Sequence, residues 1–159
     1  MKLNLGCGND ILPDFVNCDR YDAACDVCCD AKNLPFKTNS IDEIYASHLI
    51  EHFNFFEAFE VLREWKRVLK PGGILRIETP DMEKSCEAFL KATEQQRLRL
   101  YYHFFSEPWV SPGQIHKFLY TETQLHWTLQ CCGFNSIQTF PAKRYTDVEH
   151  VCLGMSAQK

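Results

Sequence analysis

The residues of this chain best placed to do chemistry stand at the ends of short apolar runs. Leu3-Asn4-Leu5 runs straight into Gly6-Cys7-Gly8. Glycines at such a turn let the backbone bend tightly and come close to a ligand that a Cβ would hold off. Later runs end in Asp19, in Asp30-Ala31 and in Ser47-His48, and Lys70-Pro71-Gly72-Gly73 opens one more. Polar groups at successive strand ends predict a nucleoside-type ligand lying across them. A carboxylate in the place of Asp19 can accept hydrogen bonds from both hydroxyls of a ribose. His48, and His116 further on, are rings that exchange a proton near neutral pH.

The elements that must hold these residues alternate along the chain. Strands are expected at 2–5, 16–19, 25–29, 41–46 and 74–78, with a closing pair at 134–140 and 150–156. Helices are expected at 55–69, 82–93, 96–105 and 121–132. Asn54 with Glu57, and Thr121 with Gln124, read as capping boxes. Ala58, Val61, Leu62, Trp65, Val68 and Leu69 form one apolar stripe at helical spacing. Gly133 is a C-terminal stop. Residues 9–15 contain Pro13 and leave room for about one helical turn. Residues 107–113 read as a loop. Alternating strands and helices predict an α/β protein with a mostly parallel sheet. The short 141–149 connection, with no helix in it, implies an antiparallel strand at the end.

The "LNLGCG" opening and the strand ends after it resemble the class I S-adenosylmethionine-dependent methyltransferases, in particular their small single-domain members. The resemblance covers nearly the whole chain. It implies a Rossmann-like, doubly wound seven-stranded sheet of order 3-2-1-4-5-7-6, strand 7 antiparallel, with a shortened first helix. It implies one domain, 1–159, with a cofactor half of about 1–80 and an acceptor insert of about 96–120. The implied cofactor is S-adenosylmethionine. Asn4, Gly6, Cys7 and Gly8 would surround its methionine part. Asn4 stands where many members have an acidic residue, and Asp10 where a third glycine is common. Asp19 would take the ribose. Asp30, Ala31 and Leu34 belong to a stretch like the family's "D-x-x-x-L-P-F", where the aspartate meets the adenine amino group and the leucine packs on the ring. Ser47 would open the loop facing the methyl group.

Ser47-His48-Leu49-Ile50-Glu51-His52 stands where the family often has "L-E-H", and His116-Lys117-Phe118 resembles its "H-K/R-W/F". His48 and His116 are therefore the two candidates for a catalytic base. Glu51 and His52 are expected to orient their loop. In the quinone-pathway O-methyltransferases an acidic residue followed by Glu and His binds a divalent metal. Here His48 replaces the first acid, and no metal ligand is assigned. The Asn/Asp-Pro-Pro-Tyr signature of enzymes that methylate base amines is absent.

Composition narrows the partners. The net charge is −4, so a polyanionic partner is not favoured. No run has the length of a membrane span, and a glycine turn by residue 6 leaves no room for a signal peptide. Nine cysteines, mostly within apolar runs, read as reduced thiols of a cytoplasmic protein. Cys25-x-x-Cys28-Cys29 has no second pair at zinc-site spacing. The expected acceptor is a small hydroxylated molecule, of a sugar or polysaccharide pathway by analogy with compact family members. A protein or RNA acceptor, and a catalytically inactive binding protein, are the alternatives. A nicotinamide-binding reading would need a third glycine opening a longer helix.

Overall fold

Seven strands pair in the order β3-β2-β1-β4-β5-β7-β6 in the computed structural model, which describes residues 1–21, 24–106, 112–142 and 151–159. They are β1 (Lys2–Leu5), β2 (Val16–Asp19), β3 (Val27–Cys28), β4 (Ile41–Ser47), β5 (Leu69–Pro80), β6 (Asn135–Phe140) and β7 (Cys152–Gln158). The first five run parallel, and β7 is antiparallel to both β5 and β6. This is the doubly wound arrangement expected from the sequence. The helices are α1 (Phe55–Val68), α2 (Met82–Lys91), α3 (Glu94–Phe105) and α4 (Glu122–Cys131). The core is fully buried where β1, β4 and β5 meet α1, at Leu3, Ile44, Leu75, Ile77 and Trp65. Burying each such side chain contributes about 1.5–3 kcal/mol.

Helix α1 starts where both halves of its capping box close. Asn54 Oδ1 accepts from the Phe56 and Glu57 amides, and Glu57 Oε2 accepts from the Asn54 amide. Ala58, Val61, Leu62, Trp65 and Val68 make the buried stripe. Thr121 and Gln124 cap α4 in the same way, and Gly133 ends it at φ +79°.

Three elements differ from expectation. No helical turn forms between β1 and β2; residues 6–15 are turns. The buried Asn17 side chain organises them. Its Nδ2 donates to the Leu12 and Phe15 carbonyls, and its Oδ1 accepts from the Leu12 amide and from Asn4 Nδ2. Strand β3 is shorter than 25–29; beside it the Asp26 carboxylate accepts from the Asn17 amide. Strand β5 begins at Leu69, with the Lys70–Gly73 turn kept as a bulge between the Ile41–Leu69 and Glu43–Ile74 pairs. Most of the loop expected at 107–113, with Trp109, and most of the connection before β7 lie outside the described residues.

Candidate functional site

The carboxyl ends of β1, β2 and β4 open on one cleft of about 1160 Å³. Gly6, Cys7, Gly8, Asp19, Asp30, Ala31, Ser47, His48 and His116 all line it, so the fold gathers most of the residues picked out from the sequence. Asn4 and Leu34 do not line it. Asn4 is buried beneath the glycine turn, where its Nδ2 donates to the Asp10 carbonyl at 2.7 Å. Leu34 sits in the core, its amide donating to Glu64 Oε1 and its carbonyl accepting from Arg67.

The glycine turn is shaped for close approach. Gly6 has φ +66°, and a Cβ there would stand 2.9 Å from Leu49 Cδ1. Gly8 has φ +48°, and a Cβ there would meet nothing within 4 Å, so its backbone faces open space. The Gly8 amide donates to Asp19 Oδ2 at 3.0 Å, and the Tyr21 amide donates to Oδ1 at 2.8 Å. Both carboxylate oxygens are thus fixed by backbone and keep lone pairs for further donors. Asp30 pairs with Arg20 at 2.9 Å and accepts from the Lys32 amide. Trp65 of α1 donates to the Ala31 carbonyl, which ties this wall to the core.

The other end of the cleft is built around Glu51. Strand β4 ends at a backbone inversion: His48 has φ +52°, rare for a residue with a Cβ. Its amide still donates to the Glu78 carbonyl of β5. The chain then makes a short turn of 3-10 helix, Ile50–His52, that buries the Glu51 carboxylate completely. Oε2 accepts from Thr79 Oγ1 at 3.1 Å. Oε1 makes no well-directed hydrogen bond; His48 Nδ1 lies 3.2 Å from it and His116 Nε2 3.9 Å. The 115–118 segment is fastened here because the Lys117 and Phe118 amides both donate to the Glu51 carbonyl. His116 Nδ1 is 2.9 Å from the His103 carbonyl, so that nitrogen carries the proton and Nε2 is left facing Glu51.

The charges sort themselves accordingly. Burial opposes a charge on His48, but the Cys152 sulfur and the Glu51 carboxylate outweigh it and push the ring up to about 10. Burial would raise Glu51, yet the neighbouring histidines, His48 foremost, hold it below the usual carboxylate range. His116 is lowered, chiefly by burial, as is His103. At neutral pH the arrangement is a buried carboxylate paired with a cationic His48 beside a neutral His116. Composition and spacing singled out neither Glu51 as the centre of this cluster nor His103, Tyr102 and Arg99 as parts of the wall. The signal was present only in Ile50-Glu51-His52, which stands where the resembled family often has "L-E-H".

Residues 3–77 match the family described as "Methyltransferase domain". The chain is 41% identical over 66 residues to a biotin biosynthesis bifunctional protein, BioHC, of Cellvibrio japonicus, covering 42% of this chain and 13% of that protein. It is 31% identical over 105 residues to a probable tRNA methyltransferase 9B of Mus musculus, covering 55% and 23%. The chain therefore spans under a quarter of the length of these relatives. The crystal structure of a Thermotoga maritima SAM-dependent methyltransferase, described as a possible histamine N-methyltransferase, superposes with a TM-score of 0.67 at 16% identity, over 99% of this chain and 81% of that one. Just under half of the chain, residues 3–77, thus matches the methyltransferase domain family, and the fold of the whole is that of the SAM-dependent methyltransferase it superposes on. Proteins it superposes on are described as SAM-dependent, SAM being S-adenosylmethionine. The cleft suits that molecule: open backbone at Gly8, a fixed carboxylate at Asp19 and an acceptor at Asp30 follow one another along the strand ends. Among the described residues no helix is long and apolar enough to cross a membrane.

Proposed function

We propose that this methyltransferase transfers a methyl group to a hydroxyl of a small, sugar-like acceptor, and that the hydroxyl loses its proton at the Glu51–His52–His116 end of the cleft. Bound S-adenosylmethionine supplies an electrophilic methyl on a sulfonium. The chain's part is to hold the acceptor oxygen in line and to relieve it of its proton. Gly6, Cys7, Gly8 and Ser47 would hold the methionine part, Asp19 the ribose, and Asp30 with Ala31 the adenine, with Asn4 and Leu34 supporting from beneath.

The observation that carries the reading is a buried carboxylate with neutral imidazole nitrogen beside it at the end of β4. Hydroxyl acceptors are the ones that profit from such a group. Of the two candidate histidines, His48 is held cationic by its pairing and is a poor proton acceptor at neutral pH. His116 is the better one. Arg99, Gln114 and Lys117 on the same rim offer donors to a hydroxyl-rich molecule.

Calorimetry with S-adenosylmethionine should give a micromolar Kd, about −8 kcal/mol. A screen of acceptors should find hydroxylated small molecules active. His116→Ala should lower turnover by roughly 100- to 10,000-fold with cofactor affinity nearly unchanged. Activity only on amines or RNA would sink the hydroxyl reading. Folded protein that binds no cofactor would sink the enzyme reading altogether.

A further inference from the structure

We propose that Arg99 of α3 holds an anionic group of the methyl acceptor, a carboxylate or a phosphate, so that the substrate is an acidic, hydroxylated small molecule. The reacting group rests on the hydroxyl-acceptor reading above; the anion subsite has observations of its own. Arg20, Lys32, Arg99 and Lys117 are the lysines and arginines that line the cleft among the described residues. Arg20 pairs with Asp30 at 2.9 Å, Lys32 with Glu57, and Lys117 with Glu57 at 3.6 Å. Arg99 has neither an ion pair nor a hydrogen bond among the described residues.

The charges of the cleft are divided between its ends. The acids that line it are Asp10, Asp19 and Asp30, all in the loops after β1, β2 and β3, the wall assigned to the cofactor. The far wall, α3 with residues 113–117, presents Arg99, Tyr102, His103, Gln114, His116 and Lys117 and no acid among the described residues. Glu51 beneath it is fully buried, and His48 at 3.2 Å answers its charge. A sulfonium suits the acidic wall, and an anion suits the far one.

Helical spacing fixes where that anion would lie. Arg99, Tyr102, His103 and Ser106 stand at i, i+3, i+4 and i+7, so one face of α3 lines the cleft. Arg99 comes one turn before His103, whose carbonyl accepts the Nδ1 proton of His116 at 2.9 Å. The anion subsite and the nitrogen assigned to the hydroxyl proton are thus separated by roughly one helical turn, about 5.4 Å along α3. That span suits an acidic group and a reacting hydroxyl carried on one sugar ring. The guanidinium offers a planar fork of N–H donors that matches two oxygens of a carboxylate or a phosphate. Cofactor and acceptor exclude water from the cleft as they fill it, which strengthens such a bond.

The test is calorimetry on protein saturated with S-adenosylhomocysteine, the demethylated cofactor, titrated with glucuronate, glucose 6-phosphate and glucose. At least one of the two anions should bind roughly tenfold or more tightly than glucose, and the better one identifies the oxyanion. Arg99→Ala should weaken that binding by roughly tenfold or more. Arg99→Lys should restore it only in part, since an ammonium keeps the charge but not the fork. Arg99 is exposed, so its truncation leaves no buried group unpaired, and circular dichroism with cofactor calorimetry establishes that each variant is folded. Arg63→Ala, which removes an exposed arginine of α1 outside the cleft, should bind as the parent does. With an acidic acceptor that is methylated, Arg99→Ala should raise KM by the same factor and change kcat little, because the group it holds is remote from the reacting oxygen. Glucose bound as tightly as either anion, anion binding indifferent to Arg99, or no binding by any of the three overturns the subsite. Anion binding that needs Arg99, without methylation of any hydroxyl, keeps the subsite and removes the hydroxyl reading. Methylation confined to neutral sugars, at a rate that Arg99→Ala does not change, keeps the hydroxyl reading and removes the subsite.

Discussion

Asp19 and Asp10 are both aspartates of the β1–β2 region, yet the fold uses them differently. Asp19 presents a carboxylate fixed by two backbone amides at the cleft wall. Asp10 serves the turn through its backbone, donating to Cys7 and accepting from Asn4. Asp19→Ala should therefore weaken S-adenosylmethionine binding by about tenfold or more, against less than about threefold for Asp10→Ala, in a calorimetric titration; loss of one charge-assisted bond is worth about 1.5–3 kcal/mol. Equal losses would mean that the ribose is held elsewhere. Asn17 carries a different burden. Its buried amide satisfies Leu12, Phe15, Asn4 and Asp26 at once. Asn17→Ala should destabilise the protein by about 3 kcal/mol in urea unfolding, since several buried polar groups lose their partner together. The glycines and Asp19 were legible in the sequence because a turn and a strand end have local signatures. Asn17 and Glu51 were not. Their importance comes from partners distant in the chain, and an Asn or Glu inside an apolar run carries no mark of what it will meet.

Among the elements, α1 was the most legible, because its stripe, its cap and its stop are all written within one segment. The β1–β2 link was the least. The short spacing with Pro13 forecast a curtailed helix, but a buried side-chain network closed the parallel crossover without one. Strand β5 was foreseen only in its apolar half, since Pro71 and two glycines mark a turn and give no hint that pairing resumes at Leu69. The start of α1 also carries a pH dependence. Lys32 first, then the Asn54 amide, hold the Glu57 carboxyl down to about 2 from its ordinary 4.5. A carboxyl depressed in the folded state stabilises above its unfolded value, and that contribution is lost as pH falls from about 4.5 toward about 2. Glu57→Gln should accordingly lower the Tm at about pH 6 by a few degrees, with the difference between the two proteins shrinking steadily as the pH falls toward about 2. No gap at about pH 6 would show that the capping geometry, common to both side chains, is the whole effect, and a gap of constant size would show that the charge plays no part in it.

At the scale of the molecule, topology explains why a single cleft collects residues spread from Gly6 to Lys117. The order reverses beside β1, so the loops after β1 and β4 part to opposite faces and leave a crevice at the carboxyl ends. Only the far wall, carried by α3 and the segment that returns to Glu51, depends on contacts no local pattern announces. This division sets where the cofactor should be felt. Binding to the folded state alone stabilises by RT ln(1 + [L]/Kd), about 2.7 kcal/mol at a ligand concentration one hundred times Kd. For a domain of this size that amounts to a rise in Tm of roughly 5–10 °C. The added protection should not be uniform. The 6–15 link has no helix to hold its amides, and residues 19–21 and 30–32 reach the cleft by turns, so these segments open locally at low cost. Hydrogen exchange with saturating cofactor should slow most there and at 47–53. It should change little in β6 and α4, whose contacts lie away from the strand ends. Protection spread evenly over the sheet would mean that the ligand stabilises only by suppressing global unfolding. Protection concentrated at α3 and 113–117 alone would place the cofactor at the far wall and reverse the assignment of the two ends of the cleft.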